Sequence, residues 1–544
     1  MSIVEFGKKN LARLGLLESE ITKAVERLGM SPESASDTSV ELDITPNRPD
    51  LLDITGFARA ALLLSGKKVP KEKHYAARPP VLEIKVEASA KKARPFIAAA
   101  VAKGVNLTDG RLKDLINFTE KFCDTYGRRR KKVAIGLHNL DAIQGNLAYG
   151  ASKDGTIIPL GQSDPKSFGD VLAGTQQGKE YSGIIGKGLV PFIKDSKKTI
   201  SMVPIINSEQ TRVTESVRNL LVEITGTSLS AVSESVNLIS CSLMDAGADI
   251  FQCSVSYGSK AIATPSMEYR KTRVRSSAIE RSLGVYMDES TMVGMANRLG
   301  HVAAKYGNSI LVFSPPYRVD VLGEQDIVED IAIAYGYDRI DPMPVIGHSI
   351  GMPEESALLY NRLSSLMLGL GFTEAMNPYL TNERLNFEML GDKPSKDAIT
   401  IEHSKTESIT MMRTTLLPAL LQNLSSSSHD SMPQRLFEVG SVFRMGPRPV
   451  EGRRLGMVSE HSRSNYSEAK AAATEVLRLF GIEDLQFRRS EEPRYIRGRA
   501  ALVMDTKGTR LGAIGEINPE VLENFGIEEP VAAAEIDVDA AFGV

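Results

Sequence analysis

The segment YRVDVLGEQDIVEDIAIAYG, residues 317–336, gathers four acids, Asp320, Asp326, Glu329 and Asp330, within one short run. Residues 318–322 alternate as a strand does. From Glu324 onward the apolar positions Ile327, Val328, Ile331, Ala332 and Ala334 predict a helix that Gly336 ends. On that helix Asp326, Glu329 and Asp330 stand at i, i+3 and i+4 and share a face, while Asp320 at the strand end folds back toward them. Like charges so spaced repel by roughly 0.2–0.5 kcal/mol per pair. Four oxygen-rich groups with no Cys or His nearby suit a hard cation such as magnesium. A second reading is open: acids early in a helix favour the positive end of its dipole. Magnesium takes only one or two carboxylates directly, so some of the four would bind through water or pair with Arg318 or Arg339.

Working outward, 544 residues predict roughly three or four domains. A hydrophobic share of 42% and a charged share of 24% are those of a globular chain. The net charge of −3 gives no global field for nucleic acid, so any RNA contact must rest on local basic patches. Three cysteines without a CxxC pair imply neither a zinc site nor a disulfide framework. The first ten residues carry no signal-peptide core and no apolar run approaches a membrane span. A cytoplasmic location, with no membrane partner, is the expectation.

Upstream, ELDITPNRPDLL, residues 41–52, predicts a proline-rigid turn. Asp50 is expected to cap the helix that follows, and Gly66 to end it. Residues 67–80, rich in Lys and Pro, read as a linker. Strands are predicted over 81–86, 96–101 and 133–137, with a helix over 114–126. The basic run Arg128, Arg129, Arg130, Lys131 and Lys132 is either a solvated face or a contact for a phosphate backbone. SMVPIIN, residues 201–207, reads as one strand. Helices are expected over 276–283, 290–306 and 358–370, and a strand over 310–313.

These segments resemble the phenylalanyl-tRNA synthetase beta-subunit family. The acidic run matches the family's magnesium site at Asp320, Asp326, Glu329 and Asp330, and NRPD at 47–50 is similar to its first segment. GRRRKKVAIGLH, from Gly127, and PIINSEQTRVT, from Pro204, resemble the editing domain of the archaeal and eukaryotic form. The resemblance implies a pocket for hydrolysing misacylated tRNA lined by Glu120, Arg130, Ser201 and Asn207. Thr119 stands where the family often has Gln.

RLFEVGSVFR, from Arg435, is similar to the second signature strand of class II synthetases. The late segment LGAIGEINPEVL, from Leu511, carries Glu516 and Asn518 where an ATP-binding Arg is needed, and an acid there repels triphosphate. The loop GIIGKG, residues 183–188, lacks the Ser or Thr of a phosphate loop.

The expected architecture is therefore multidomain α+β. A small N-terminal domain occupies 1–75, a mixed α/β editing domain (B3/B4-like) 76–265 and a helix-rich, metal-bearing B5-like domain 266–345. A class II-like antiparallel-sheet module without its own ATP site occupies 350–544. The resemblance implies a phenylalanine–tRNA ligase subunit that works with an alpha subunit in an α2β2 tetramer, uses ATP and Mg2+, and binds the tRNA for phenylalanine. Editing of tyrosyl-tRNA is expected, because a pocket for phenylalanine rejects one added hydroxyl only about a hundredfold. A stand-alone editing hydrolase and a non-enzymatic assembly subunit are the alternatives.

Overall fold

The computed structural model describes residues 3–71, 74–185, 188–342, 344, 347 and 350–543. Two residues of the GIIGKG loop, 186 and 187, and two of the predicted linker, 72 and 73, lie outside them. The chain is a multidomain α+β protein with two compact units, Met1–Pro344 and Val345–Val544.

Three main sheets, with a two-stranded ladder of Thr156–Ile157 and Lys166–Ser167, build the described part of the first unit. The strands Ile3–Gly7, Ser39–Asp43 and Ser31–Ala35 form the first, with Ser39–Asp43 in the middle. The helix Ile54–Leu64 follows. Its cap is Asp53, whose side chain accepts from Gly56 N at 3.2 Å, and not the expected Asp50. Asp50 is instead buried in an ion pair with Arg48 at 2.8 Å, because a carboxylate beside a buried guanidinium gains more from pairing than from capping.

The second sheet positions the candidate site. It has ten strands, mostly antiparallel, with parallel pairing only on either side of Arg78–Val86. Asn219–Gly226 lies between Phe96–Lys103 and Val133–Asn139. Its alternation feeds two cores. Leu220, Val222 and Ile224 pack in the core that also holds Val232, Val236 and Ile239 of the helix Leu229–Asp245. Leu221 faces the opposite side, against Ile97, Val101, Tyr149, Ile200 and Val203. Far along the sheet, residues 201–207 do not form the single predicted strand. They fold into a hairpin of Thr199–Met202 and Ile206–Asn207, turned at Val203 to Ile205, with Ser201 opposite Asn207. Pro204 has no N–H for a ladder, so the chain turns there. Asn207 Nδ2 donates to Leu137 O at 3.2 Å, so the two outer strands of the sheet meet and the sheet closes on itself.

The third sheet, Arg270–Arg275, Ser309–Ser314 and Val302–Lys305, carries the helices Ser276–Leu283, Glu289–Arg298 and Glu324–Tyr335. Two expectations fail here. Residues 318–322 are turn and irregular chain, held by the side chain of Arg318 instead of a ladder. The helix expected to reach residue 306 stops at Arg298, because Gly300 has φ +91° and the chain continues as a strand.

In the second unit a seven-stranded sheet is antiparallel except where Thr373–Glu374 pairs with Gln434–Met445. Leu417, Leu420, Leu421 and Leu424 of the helix Leu417–Ser426 fill one core. Ala473, Val476 and Leu477 of Tyr466–Leu479 fill another with Leu363 and Met367. Glu516 accepts from Arg499 Nη1 at 2.6 Å and from Tyr466 N at 3.0 Å, while Asn518 caps Pro519–Phe525. Both residues therefore have structural work.

Among the described residues no helix is long and apolar enough to cross a membrane.

Candidate active site

Glu223 sits mid-strand on the face of Leu221, between Ala99 and Gly136 on the neighbouring strands. Both neighbours are small. A Cβ on Gly136 would collide with Glu223 Oε1, so this glycine makes the room that the carboxylate occupies. The side chain is 4% exposed and lies inside the closed sheet.

Polar groups from three other strands converge on it. Ser201 Oγ lies 3.3 Å from Glu223 Oε1 and 3.1 Å from Asn207 Oδ1, and its one proton serves one acceptor at a time. His138 Nε2 lies 3.9 Å from Glu223 Oε1, and His138 Nδ1 is 2.9 Å from Thr211 Oγ1. Thr211 Oγ1 also lies 3.3 Å from Ser208 O, so its one proton serves either that carbonyl or the imidazole nitrogen.

Two polar atoms are buried here unpaired: among the described residues His138 Nε2 and Glu223 Oε2 have no hydrogen-bond partner. Burying such groups without a partner costs about 1–3 kcal/mol each. A hydroxyl or water entering here satisfies them.

Of the four residues expected in a pocket, three are brought together. Ser201 and Asn207 are partners across the hairpin. Arg130 Nη1 donates to Pro204 O at 2.9 Å and Ile205 O at 3.2 Å, fixing the hairpin turn, and its guanidinium lies 4.3 Å from the Tyr181 ring centroid. Glu120 stands exposed on the helix Asp109–Asp124 and has no side-chain partner among the described residues. Thr119, beside it, is buried and donates to Ile116 O at 2.9 Å. Asn207 caps nothing; Ser208 caps the short turn Glu209–Thr211. Glu223 and His138 escaped the sequence reading. The only signal was a Glu inside the otherwise apolar run LLVEITG, residues 220–226.

The four acids of residues 317–336 do not fit a magnesium ion. Arg318 donates from Nη2 to Asp320 and to Asp330, at 2.6 Å each, so a guanidinium already occupies the space between them. Asp330 also contacts His301 Nε2 at 2.6 Å. Burial pushes the Asp330 carboxyl up, but Arg318 and the histidine hold it down at about 2. Asp326 turns back to accept from Leu322 N at 2.7 Å and Gly323 N at 2.8 Å. Glu329 is exposed while Asp330 is buried, so the shared helix face does not give a shared site. Among the described residues no group of three or more His, Cys, Asp or Glu side chains is placed to hold a metal. The open alternative of pairing with Arg318 is the one realised for Asp320 and Asp330.

The phenylalanine–tRNA ligase beta subunit of Archaeoglobus fulgidus is 34% identical over 549 residues, covering 100% of this chain and 99% of that one. The chain belongs to the phenylalanine–tRNA ligase beta-subunit family. The beta subunit of Aeropyrum pernix is likewise 34% identical, over 99% of this chain and 98% of the relative. Two family profiles match within this frame: "tRNA synthetase B5 domain" over residues 272–337 and "Phenylalanyl tRNA synthetase beta chain CLM domain" over 341–538. A crystal structure of an N-terminal fragment of the Pyrococcus horikoshii beta subunit superposes with a TM-score of 0.59 at 28% identity, covering 62% of this chain and all of the fragment. In this member of the beta-subunit family, the closed sheet with its buried acid falls outside both profile matches.

Proposed function

We propose that the chain is the beta subunit of an α2β2 phenylalanine–tRNA ligase, and that the pocket around Glu223 hydrolyses tyrosyl-tRNA. In this reading residues 1–75, 76–265, 266–345 and 350–544 are the N-terminal, editing, B5-like and class II-like domains. The alpha subunit holds ATP, its magnesium and phenylalanine, and joins phenylalanine to its tRNA with release of AMP and diphosphate. The occupation of Glu516 and Asn518 by structural partners supports a non-catalytic second unit.

One observation carries the editing proposal: an unpaired carboxylate oxygen buried inside the sheet beside an unpaired imidazole nitrogen. The phenolic hydroxyl of tyrosine donates to Glu223 Oε2 and supplies the missing donor. Phenylalanine lacks that hydroxyl and leaves the acid desolvated and unpaired. Sites built around a substrate hydroxyl reject the analogue without it by about 10⁴–10⁵, so correctly charged tRNA is spared. Ser201 and Asn207 hold the ring end or the ester. Arg130 keeps their hairpin turned. Water adds to the ester carbonyl, the bond to the ribose oxygen breaks, and that oxygen takes the proton that the water gives up.

The test is co-expression with the alpha subunit, mass measurement of the complex, and deacylation of tyrosyl-tRNA. The expected result is an α2β2 mass, rapid deacylation by the parent and its loss in Glu223→Ala with phenylalanylation unchanged. Equal deacylation by the variant overturns the pocket assignment.

A further inference from the structure

Three consecutive non-glycine residues, Arg128, Arg129 and Arg130, have φ of +52°, +51° and +63°. L-residues enter this left-handed region singly as a rule, because there Cβ crowds the following carbonyl oxygen. A run of three needs the surroundings to enforce it. They do: Arg128 N donates to Thr125 O, Arg129 N to Asp124 O and Arg130 N to Cys123 O, each at 3.0 Å, so the turn winds back onto the end of the helix Asp109–Asp124. Gly127 enters this turn where a Cβ would collide with Cys123 O and Val133 O.

The turn divides its side chains. Arg130 reaches the Pro204–Ile205 carbonyls of the pocket hairpin. Lys132 lies over the Tyr126 ring, 3.9 Å from its centroid. Arg128, Arg129 and Lys131 are exposed and have no side-chain partner among the described residues. The neighbouring acid Glu234 already accepts from Tyr126 Oη at 2.8 Å. A groove of about 190 Å³ runs alongside, lined by Ala93, Arg94, Lys131 and Pro204 among others. Pro204 belongs to the pocket hairpin. Ala93 ends the short helix Ala90–Ala93, whose Lys91 and Lys92 are also exposed. Lys131 lines the groove, Arg128 and Arg129 precede it in the turn, and Lys91 and Lys92 precede the lining residue Ala93, so two segments bordering the groove carry five exposed cations in a chain whose net charge is −3.

We propose that Arg128, Arg129 and Lys131, with Lys91 and Lys92, bind the phosphates of a single-stranded RNA end and guide its 3′ terminus to the Glu223 pocket. The strained turn serves to hold three cations outward while a fourth, Arg130, braces the pocket. This proposal rests on the hydrolytic reading of that pocket.

The test uses the full chain co-purified with its alpha subunit and a triple variant, Arg128→Asn, Arg129→Asn and Lys131→Gln. Asparagine tolerates left-handed backbone, so the turn is kept while the charge is removed. For single-stranded RNA each lost phosphate contact lowers the salt dependence of binding by about 0.7 in log–log slope. Three contacts reduce the slope by about 2, which is about a hundredfold in affinity at 0.1 M salt if parent and variant converge at 1 M. The expected result is a KM for tyrosyl-tRNA raised by about that factor at low salt, with kcat unchanged. Lys131→Gln alone, outside the left-handed run, is expected to lower the slope by about 0.7 and covers the case in which the triple variant does not fold. An unchanged slope in the variants overturns the proposal. So does an equal loss when Lys393, Lys396 and Lys405 in the second unit are changed to Gln instead. If the parent fails to deacylate tyrosyl-tRNA, the pocket reading is what fails. The salt slope for binding uncharged tRNA then still decides the RNA surface.

Discussion

Ser201 and Asn207 face each other across a two-strand hairpin, with the serine hydroxyl 3.1 Å from the asparagine Oδ1. The same asparagine donates to Leu137 O and so ties the hairpin to the opposite edge of the sheet. One side chain thus holds the pocket closed and presents its polar wall.

Asn207→Ala is expected to slow deacylation of tyrosyl-tRNA and to leave phenylalanylation by the complex unchanged. Loss of ordinary neutral hydrogen bonds costs about 0.5–1.5 kcal/mol, whereas loss of a group that stabilises transition-state charge costs about 2.7–4 kcal/mol. Rates measured at matched folded fraction separate the two roles. An unchanged rate removes Asn207 from the site.

Gly136→Ala places a methyl group against Glu223 Oε1. The carboxylate has to move, in a region with little slack. A destabilisation of about 1–3 kcal/mol is expected by denaturant unfolding, with a larger loss of tyrosyl-tRNA deacylation than of phenylalanylation. Glu120→Gln, on an exposed side chain, is expected to affect deacylation less than Glu223→Gln. The reverse order would move the chemistry to the helix.

Arg318→Met is expected to destabilise the first unit by about 3–5 kcal/mol, because it strands Asp320 and Asp330 in the interior without their cation. Asp326→Ala costs about 1 kcal/mol through the lost cap on Glu324–Tyr335, and Glu329→Ala costs little. Calorimetry is expected to find the same magnesium affinity in parent and in the Asp326, Glu329 double alanine variant. A clear loss of affinity there would restore the metal site.

Asp245 links the helix Leu229–Asp245 to the N-terminal segment. It pairs with Arg59 at 2.6 Å, accepts from Tyr75 Oη at 3.0 Å and lies within 3.6 Å of Lys68 and His74. Burial raises its pKa, but the Arg59 charge and the neighbouring donors more than reverse this and hold it well below the ordinary carboxylate value. A depressed folded-state pKa contributes stability that is fully present above the unfolded value of about 3.9 and is lost as the pH falls through the folded value. Unfolding free energy is therefore expected to fall as pH drops below about 4, with a shallower fall in Asp245→Asn. Parallel acid limbs in the two proteins would show that the pair contributes nothing to this dependence.

The sequence by itself determined the periodic elements. The helix at 276–283, the strands near 81–86, 96–101, 133–137 and 310–313, and the amphipathic helix near 358–370 follow from local spacing of apolar residues, which one chain segment carries alone. It also carried the family, since GRRRKKVAIGLH and the acidic run are local strings. What depended on partners distant in sequence was out of reach. Asp320 and Asp330 read as metal ligands until Arg318 is seen between them, and spacing along a helix cannot say which cation fills the gap. Ser201 and Asn207 read as one strand until Pro204 turns it. Glu223 looked like a stray acid in an apolar strand. Only the closing of the sheet, which brings His138, Ser201 and Asn207 near it from separate strands, makes it a candidate site. Charge and hydrogen bonding are settled by distances of about 3 Å, and for these groups the contacts join residues 6, 22 and 85 apart in the chain.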